Sequence, residues 1–100
     1  MKKAEGFKTA RNKVLKALAE GTYLHEARGK IDVKNLLLTG EITAEELAAI
    51  ILRCTGVHHE AVPHHQVRGI HVHILKRDGW YIKFYFLNPN TIFISVHRQE

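Results

Sequence analysis

The chain has 100 residues, of which 45% are hydrophobic and 25% charged, and its formal net charge is +5. This length is enough for one small hydrophobic core, so we expect a single domain over residues 1–100. One cysteine excludes an intramolecular disulfide framework, and no stretch has the length and apolarity of a membrane span or signal peptide. A cytoplasmic protein with no membrane partner is therefore expected.

The positive charge is concentrated in the N-terminal third. Residues 1–30 hold eight Lys or Arg and three Glu, whereas residues 31–100 hold seven Lys or Arg and seven Asp or Glu. Such a surface is typical of proteins that bind phosphate backbones or acidic partners, although many soluble proteins are mildly basic. The candidate RNA-phosphate contacts in this third are Lys8, Arg11, Lys13 and Lys16.

The pattern predicts a first amphipathic helix from about Phe7 to Glu20, ended by Gly21. A short second helix near residues 36–38 is indicated, capped by Asp32 and ended by Gly40, with a strand as the alternative.

A further helix is predicted over ITAEELAAIILRC, residues 42–54. Thr43 and Glu46 have the spacing of a capping box, and Cys54 ends the apolar stripe. We therefore expect Cys54 to be a core thiol rather than a reactive one.

Three strands are predicted after the helices, at about residues 68–76, 80–87 and 91–97, joined by the turn sequences RDG and NPN. This order of elements indicates an α+β fold with two or three N-terminal helices packed on one face of a C-terminal three-stranded antiparallel sheet.

The turns predict a register. If RDG is a three-residue loop, Lys76 faces Trp80 and His73 faces Lys83. A two-residue turn at Asp78-Gly79 would put His73 opposite Phe84 and mix the two faces, so we do not expect it. If NPN is also a three-residue loop, Leu87 faces Thr91, Lys83 faces Ser95, and Tyr81 faces His97. One sheet face is then apolar, and the other carries His71, His73, Tyr81, Lys83, Tyr85, Ser95 and His97.

This combination of imidazoles, amine and phenols favours phosphodiester chemistry over a bland solvated face. Histidine exchanges protons near neutral pH, lysine stabilises a phosphorane, and tyrosine donates a hydrogen bond or stacks on a base. The hypothesis is metal-independent RNA cleavage through a 2′,3′-cyclic phosphate. Its candidate catalytic residues are His71, His73, Tyr81, Lys83 and His97, with further RNA contacts from Tyr85, Ser95, His64 and His65.

The chain also resembles the MqsR-type mRNA interferase toxins of bacterial toxin–antitoxin systems over about residues 10–98. The similar segments are ARNKVLKALAEG, LLLTGEITAEELAAIILRC and, most specifically, WYIKFYFLNPNTIFISVH. The resemblance implies a RelE-like fold, endoribonuclease activity on mRNA without a cofactor, and a cognate antitoxin as protein partner.

The resemblance also implies residue roles on the exposed sheet face. Tyr81 matches the family's catalytic tyrosine, and His97 stands where the family carries a lysine. His71 or His73 replaces an amide-bearing residue, and His64 or His65 would have to serve for a lysine that precedes that strand. The implied mechanism uses His73 and His97 as base and acid, in either order, with Lys83 and Tyr81 stabilising the phosphorane.

Two other functions fit the same residues. A non-catalytic RNA-binding or regulatory module would use the basic first helix and a Tyr81/Tyr85 stacking platform. A metal-binding protein would use the six histidines within sixteen residues, His58, His59, His64, His65, His71 and His73. The sequence does not determine the oligomeric state, the RNA sequence that is cut or a dependence on the ribosome.

Overall fold

The computed structural model describes residues 6–26 and 35–99. Its helices are α1 (Phe7–Glu20), α2 (Leu36–Thr39) and α3 (Ala44–Arg53), and a 3₁₀ turn spans Gly56–His58. Its strands are β1 (Tyr23–His25), β2 (His59–Pro63), β3 (His71–Arg77), β4 (Trp80–Leu87) and β5 (Asn90–Arg98). No helix in this part of the chain is long and apolar enough to cross a membrane.

Helix α1 has the predicted bounds. Its buried side chains recur at helical spacing and include Ala10, Val14 and Leu18. The chain leaves the helix at Gly21, whose φ of 77° is the left-handed conformation that glycine adopts without steric cost.

Helix α3 is also confirmed, with the Thr43–Glu46 capping box formed in both directions. Helix α2 is short and ends at Gly40 as expected, but the side chain of Asn35 caps it. The predicted cap, Asp32, lies outside the described residues.

The sheet has five strands in the order β1-β5-β4-β3-β2 and is mixed, because β1 runs parallel to β5 while the other pairs are antiparallel. The prediction of a three-stranded antiparallel sheet is correct for β3, β4 and β5 and wrong at both edges. β1 has only three residues, and β2 carries His59 and Pro63, so neither has the β-branched, alternating pattern that marks a strand.

The helices cover one face of the sheet, which we call the helix-side face. Its core joins Val14 and Leu47 from the helices to Leu75, Phe84 and Phe93 from the strands. We call the opposite surface the far face. It carries a second apolar cluster, formed by Val72, Ile74, Tyr85, Ile92 and Ile94.

The β3–β4 connection is a two-residue turn rather than the predicted three-residue loop. Arg77 pairs with Trp80, and Asp78 and Gly79 form the turn with φ values of 55° and 79°. Positive φ at both central residues is the turn geometry that matches the twist of a hairpin. The register is therefore shifted by one residue, and the β3 side chains exchange faces relative to the prediction.

The β4–β5 connection is likewise a two-residue turn, because Leu87 pairs with Asn90 rather than Thr91. A bulge opposite the Lys83–Phe84 step then adds one residue to β5. This extra residue restores the predicted pairing at the end of the hairpin away from the turn. Lys83 pairs with Ser95 and Tyr81 with His97, as expected.

Candidate active site

The far face brings together Tyr81, Lys83, Ser95 and His97 from the set of predicted site residues. Tyr81 and Lys83 alternate along β4, and their partners His97 and Ser95 alternate along β5. All four side chains are partly exposed. Directly paired residues on one face are about 5 Å apart, so a phenol, an amine, a hydroxyl and an imidazole share one patch of rigid sheet.

Tyr81 and His97 form a stacked pair, with ring centroids 5.0 Å apart and planes 19° from parallel. The Lys76 ammonium lies 5.8 Å from the centre of the Tyr81 ring. Packing of this kind holds the phenol and the imidazole in fixed orientations beside two lysines.

The surroundings of His97 determine which of its nitrogens carries the proton. Its Nδ1 is 3.0 Å from the carbonyl oxygen of Arg98, which can only accept a hydrogen bond. Nδ1 is therefore the donor, and the neutral ring has its lone pair on Nε2. That nitrogen can accept a proton from a substrate.

The structure separates His71 and His73 from this group, which corrects the expectation that they share its face. The two-residue turn pairs His73 with Phe84, so His73 lies on the helix-side face with 1% of its surface exposed. His71, two residues earlier, lies on the same face opposite Pro63 of β2. Neither can act together with Tyr81 and His97.

His73 belongs instead to a buried histidine pair. Its Nδ1 lies 2.9 Å from Nε2 of His59, and its ring packs on Phe84 and Phe86. Burial lowers the pKa of His59, which in turn packs against Phe7 of α1. His59 is itself a partly buried member of β2.

A second polar group lies farther along the far face, around Tyr85. The His64 ring meets Tyr85 edge-on at 4.9 Å and stacks on His65 at 5.4 Å. Nδ1 of His64 accepts the backbone N–H groups of Gln66 and Val67. Its proton is therefore on Nε2, which makes His64 a hydrogen-bond donor rather than a base.

Glu26 completes this second group, and sequence reasoning missed it. The Tyr85 hydroxyl is 3.5 Å and His64 Nε2 4.0 Å from the same Glu26 carboxylate oxygen. Burial, and then the Glu26 charge, raise the pKa of Tyr85. Glu26 follows β1, a strand too short to be predicted, so no signal placed its carboxylate near β4.

The basic side chains of α1 lie on the other side of the sheet. The Lys13 ammonium is 4.2 Å from the centre of the Phe86 ring, and the Arg11 guanidinium is 5.3 Å from that of Phe7. Lys8 and Lys16 are exposed, and Lys16 lines a groove beside the β4–β5 turn. The predicted phosphate contacts of α1 therefore form a surface separate from the far-face group.

The histidine, cysteine and acidic side chains of the described residues do not form a metal centre. Within residues 6–26 and 35–99, no three His, Cys, Asp or Glu side chains converge so that they could hold a metal ion. Cys54 is buried as predicted, and burial raises the pKa of its thiol, which makes it a weaker nucleophile.

Comparison of the chain with protein-family models, with curated proteins and with solved structures finds no match. The residues themselves and the geometry of the far face are therefore what indicate a function.

Proposed function

We propose that this protein is a metal-independent endoribonuclease whose active site is the Tyr81, Lys83, Ser95 and His97 group. The observation that carries the proposal is the stacked Tyr81–His97 pair, with the imidazole Nε2 as its proton acceptor, next to Lys83. Transfer of a phosphoryl group to a neighbouring ribose hydroxyl requires acid–base groups and a cation in fixed positions. This group holds them on one rigid surface.

In the proposed reaction, His97 Nε2 takes the proton from a ribose 2′-hydroxyl as its oxygen attacks the adjacent phosphorus. The Lys83 ammonium stabilises the negative charge of the phosphorane. The bond from phosphorus to the 5′-oxygen then breaks, and the Tyr81 hydroxyl gives that oxygen a proton. The products are a 2′,3′-cyclic phosphate and a 5′-hydroxyl, and no electron acceptor or metal is needed.

This assignment revises the roles that the sequence suggested. His73 is buried on the helix-side face, so the reaction has one histidine rather than two, and Tyr81 replaces the second histidine as proton donor. The resemblance to MqsR-type toxins extends the proposal to a mRNA interferase of a toxin–antitoxin system, with a cognate antitoxin as partner.

The test is cleavage of a mixed single-stranded RNA by purified protein in excess EDTA, with analysis of both product ends. We expect wild-type protein to leave 2′,3′-cyclic phosphate and 5′-hydroxyl ends. His97→Gln and Tyr81→Phe should each slow cleavage about a hundredfold or more, the usual contribution of a positioned acid or base.

Matched control variants are available for both substitutions. Tyr23→Phe also deletes one phenol hydroxyl, but Tyr23 packs against the helix-side core. His71→Gln also removes one imidazole, but His71 lies on the helix-side face opposite Pro63 of β2. Both controls should cleave at the wild-type rate. RNA binding without any product would refute the enzyme and favour a non-catalytic RNA-binding module, whereas loss of activity in EDTA would refute the metal-independent mechanism.

A further inference from the structure

A groove at the β3–β4 turn lies beside the candidate active site and has no role in the reaction proposed above. Its volume is about 450 Å³, within the range of about 300–1,000 Å³ that ligand sites occupy. It is lined by His58, Lys76, Arg77, Asp78, Trp80 and Gln99.

The groove has an excess of positive charge. The Asp78 carboxylate is already engaged by two guanidinium groups, at 2.9 Å from Arg53 and 3.6 Å from Arg77. Hydrogen bonding from Arg53 is the main reason that the pKa of Asp78 is lowered. Asp78 is the one acidic side chain of the lining, and its negative charge is therefore balanced by these guanidinium groups.

Two further cations have no acidic partner among the described residues: Lys76, which lines the groove, and Arg98, which lies beside it on the lining residue Trp80. The Lys76 ammonium lies over the Tyr81 ring, and the Arg98 guanidinium lies 5.2 Å from the centre of the Trp80 ring. Both charges remain available to an anion.

His58 adds a further hydrogen-bond donor. Its Nδ1 accepts the Thr55 backbone N–H at 2.7 Å, which leaves the imidazole proton on Nε2. Charged donors together with an N–H group suit phosphate oxygens, which only accept hydrogen bonds.

We propose that this groove binds the phosphodiester backbone of single-stranded RNA next to the bond that is cleaved. Lys76 connects the two places, because it lines the groove and its ammonium lies over the ring of Tyr81. The groove thus extends the active site around the β3–β4 turn. The inference rests on the proposed function for the identity of the nucleic acid, and it adds where the flanking phosphates bind.

The test measures binding rather than cleavage. A labelled single-stranded oligonucleotide with 2′-O-methyl riboses has no free 2′-hydroxyl to attack phosphorus, so it reports affinity alone. Its dissociation constant is measured by fluorescence anisotropy over a series of salt concentrations for wild type, Lys76→Gln, Arg98→Gln and the double variant.

We expect the slope of log affinity against log salt to become less steep by about 0.7 for each phosphate contact removed from a single strand. The double variant should lose about twice as much as each single variant. Arg68→Gln is the matched control, since Arg68 is an exposed cation in the loop between β2 and β3, and it should retain the wild-type slope. Thermal melts identify any variant whose fold is altered.

Unchanged slopes in Lys76→Gln and Arg98→Gln would overturn the proposal. Oligo-glutamate binding that equals RNA binding and weakens with the same substitutions would also overturn it, because the groove would then hold an acidic peptide. The outcome is independent of catalysis. Altered slopes without any RNA cleavage would support RNA binding in the groove and refute the nuclease. Cleavage with unaltered slopes would support the nuclease and refute RNA binding in the groove.

Discussion

Two far-face histidines differ in which nitrogen carries the proton, and the difference decides what each can do. His97 donates from Nδ1 to a carbonyl group and so presents a basic Nε2, whereas His64 accepts two backbone N–H groups at Nδ1 and so presents an N–H donor. Neither assignment can be made from the sequence, where both are simply histidines near strands. The backbone around each ring thus makes one a base and the other a positioning group for Glu26.

Glu26→Gln tests the second far-face group. The Glu26 charge contributes to the raised pKa of Tyr85, after burial, so removing it should lower that pKa only in part. Ultraviolet titration of the tyrosines should show the Tyr85 transition moving to lower pH. Tyr85→Phe assigns this transition, because it should disappear in that variant. A titration curve identical to wild type would place Glu26 away from the phenol.

The buried pair His59–His73 predicts a pH dependence of stability. An imidazole whose pKa is lowered by folding binds its proton more readily in the unfolded chain, so acid favours unfolding. The free energy of unfolding should therefore be highest at pH values above the ordinary histidine pKa of about 6.5, and it should decrease as the pH falls below that value. Chemical denaturation at several pH values measures this.

Replacing both partners of that pair by phenylalanine should make the acid limb of this curve shallower, and His25, whose pKa burial also lowers, should keep the rest of it. Either substitution alone leaves one buried imidazole nitrogen without this partner and should cost about 1–3 kcal/mol. The double variant should cost less than the sum of the single variants. His58→Gln is the control, and strict additivity of the two single variants would contradict the hydrogen bond.

At the scale of the elements, the helices were predictable and the sheet register was not. Apolar spacing and end signals identify α1 and α3, because a helix depends on local contacts. In β3, however, both sets of alternating residues include apolar side chains, since Val72 and Ile74 pack on the far face while Leu75 packs on the core. The alternation therefore does not identify the core face, and the turn length decides it.

The bulge explains why half of the candidate site was still predicted correctly. The predicted β4–β5 turn is one residue too long, and the unpredicted bulge adds one residue to β5. These two differences cancel at Lys83, so the four residues of the group lie together as expected: Tyr81, Lys83, Ser95 and His97. No such compensation occurs in β3, and His71 and His73 therefore move to the other face. Bulges depend on tertiary packing and leave little signal in a single sequence.

Gly79→Ala tests the turn that sets this register. Gly79 has a φ of 79°, where an L side chain costs about 1–2 kcal/mol. The free energy of unfolding should fall by that amount, as measured by chemical denaturation. Gly56→Ala is the matched control because Gly56 has no positive φ and its added methyl meets no atom within 4 Å. Equal effects of the two substitutions would argue against a left-handed turn at residue 79.

For the whole molecule, the sheet separates two basic surfaces that the sequence could not distinguish. The cations of α1 lie on the helix side, and those around Tyr81 lie on the far face and at the β3–β4 turn. The sequence predicts RNA contact for the α1 cations from their charge, and for the far face from its acid–base and aromatic side chains. The molecule is 29 Å across even in its shortest dimension, so a ligand must be long to reach both.

This geometry predicts that the contribution of α1 depends on RNA length. Lys8→Gln with Lys16→Gln should leave the salt slope for a short uncleavable oligonucleotide unchanged, because that ligand covers only the far face and its turn. A long single strand that wraps the molecule should lose about 0.7 in slope for each α1 phosphate contact removed. Anisotropy titrations with the two lengths measure both quantities in one experiment. A reduced slope with the short oligonucleotide would place its binding site against α1, and the far face would then not be where RNA binds.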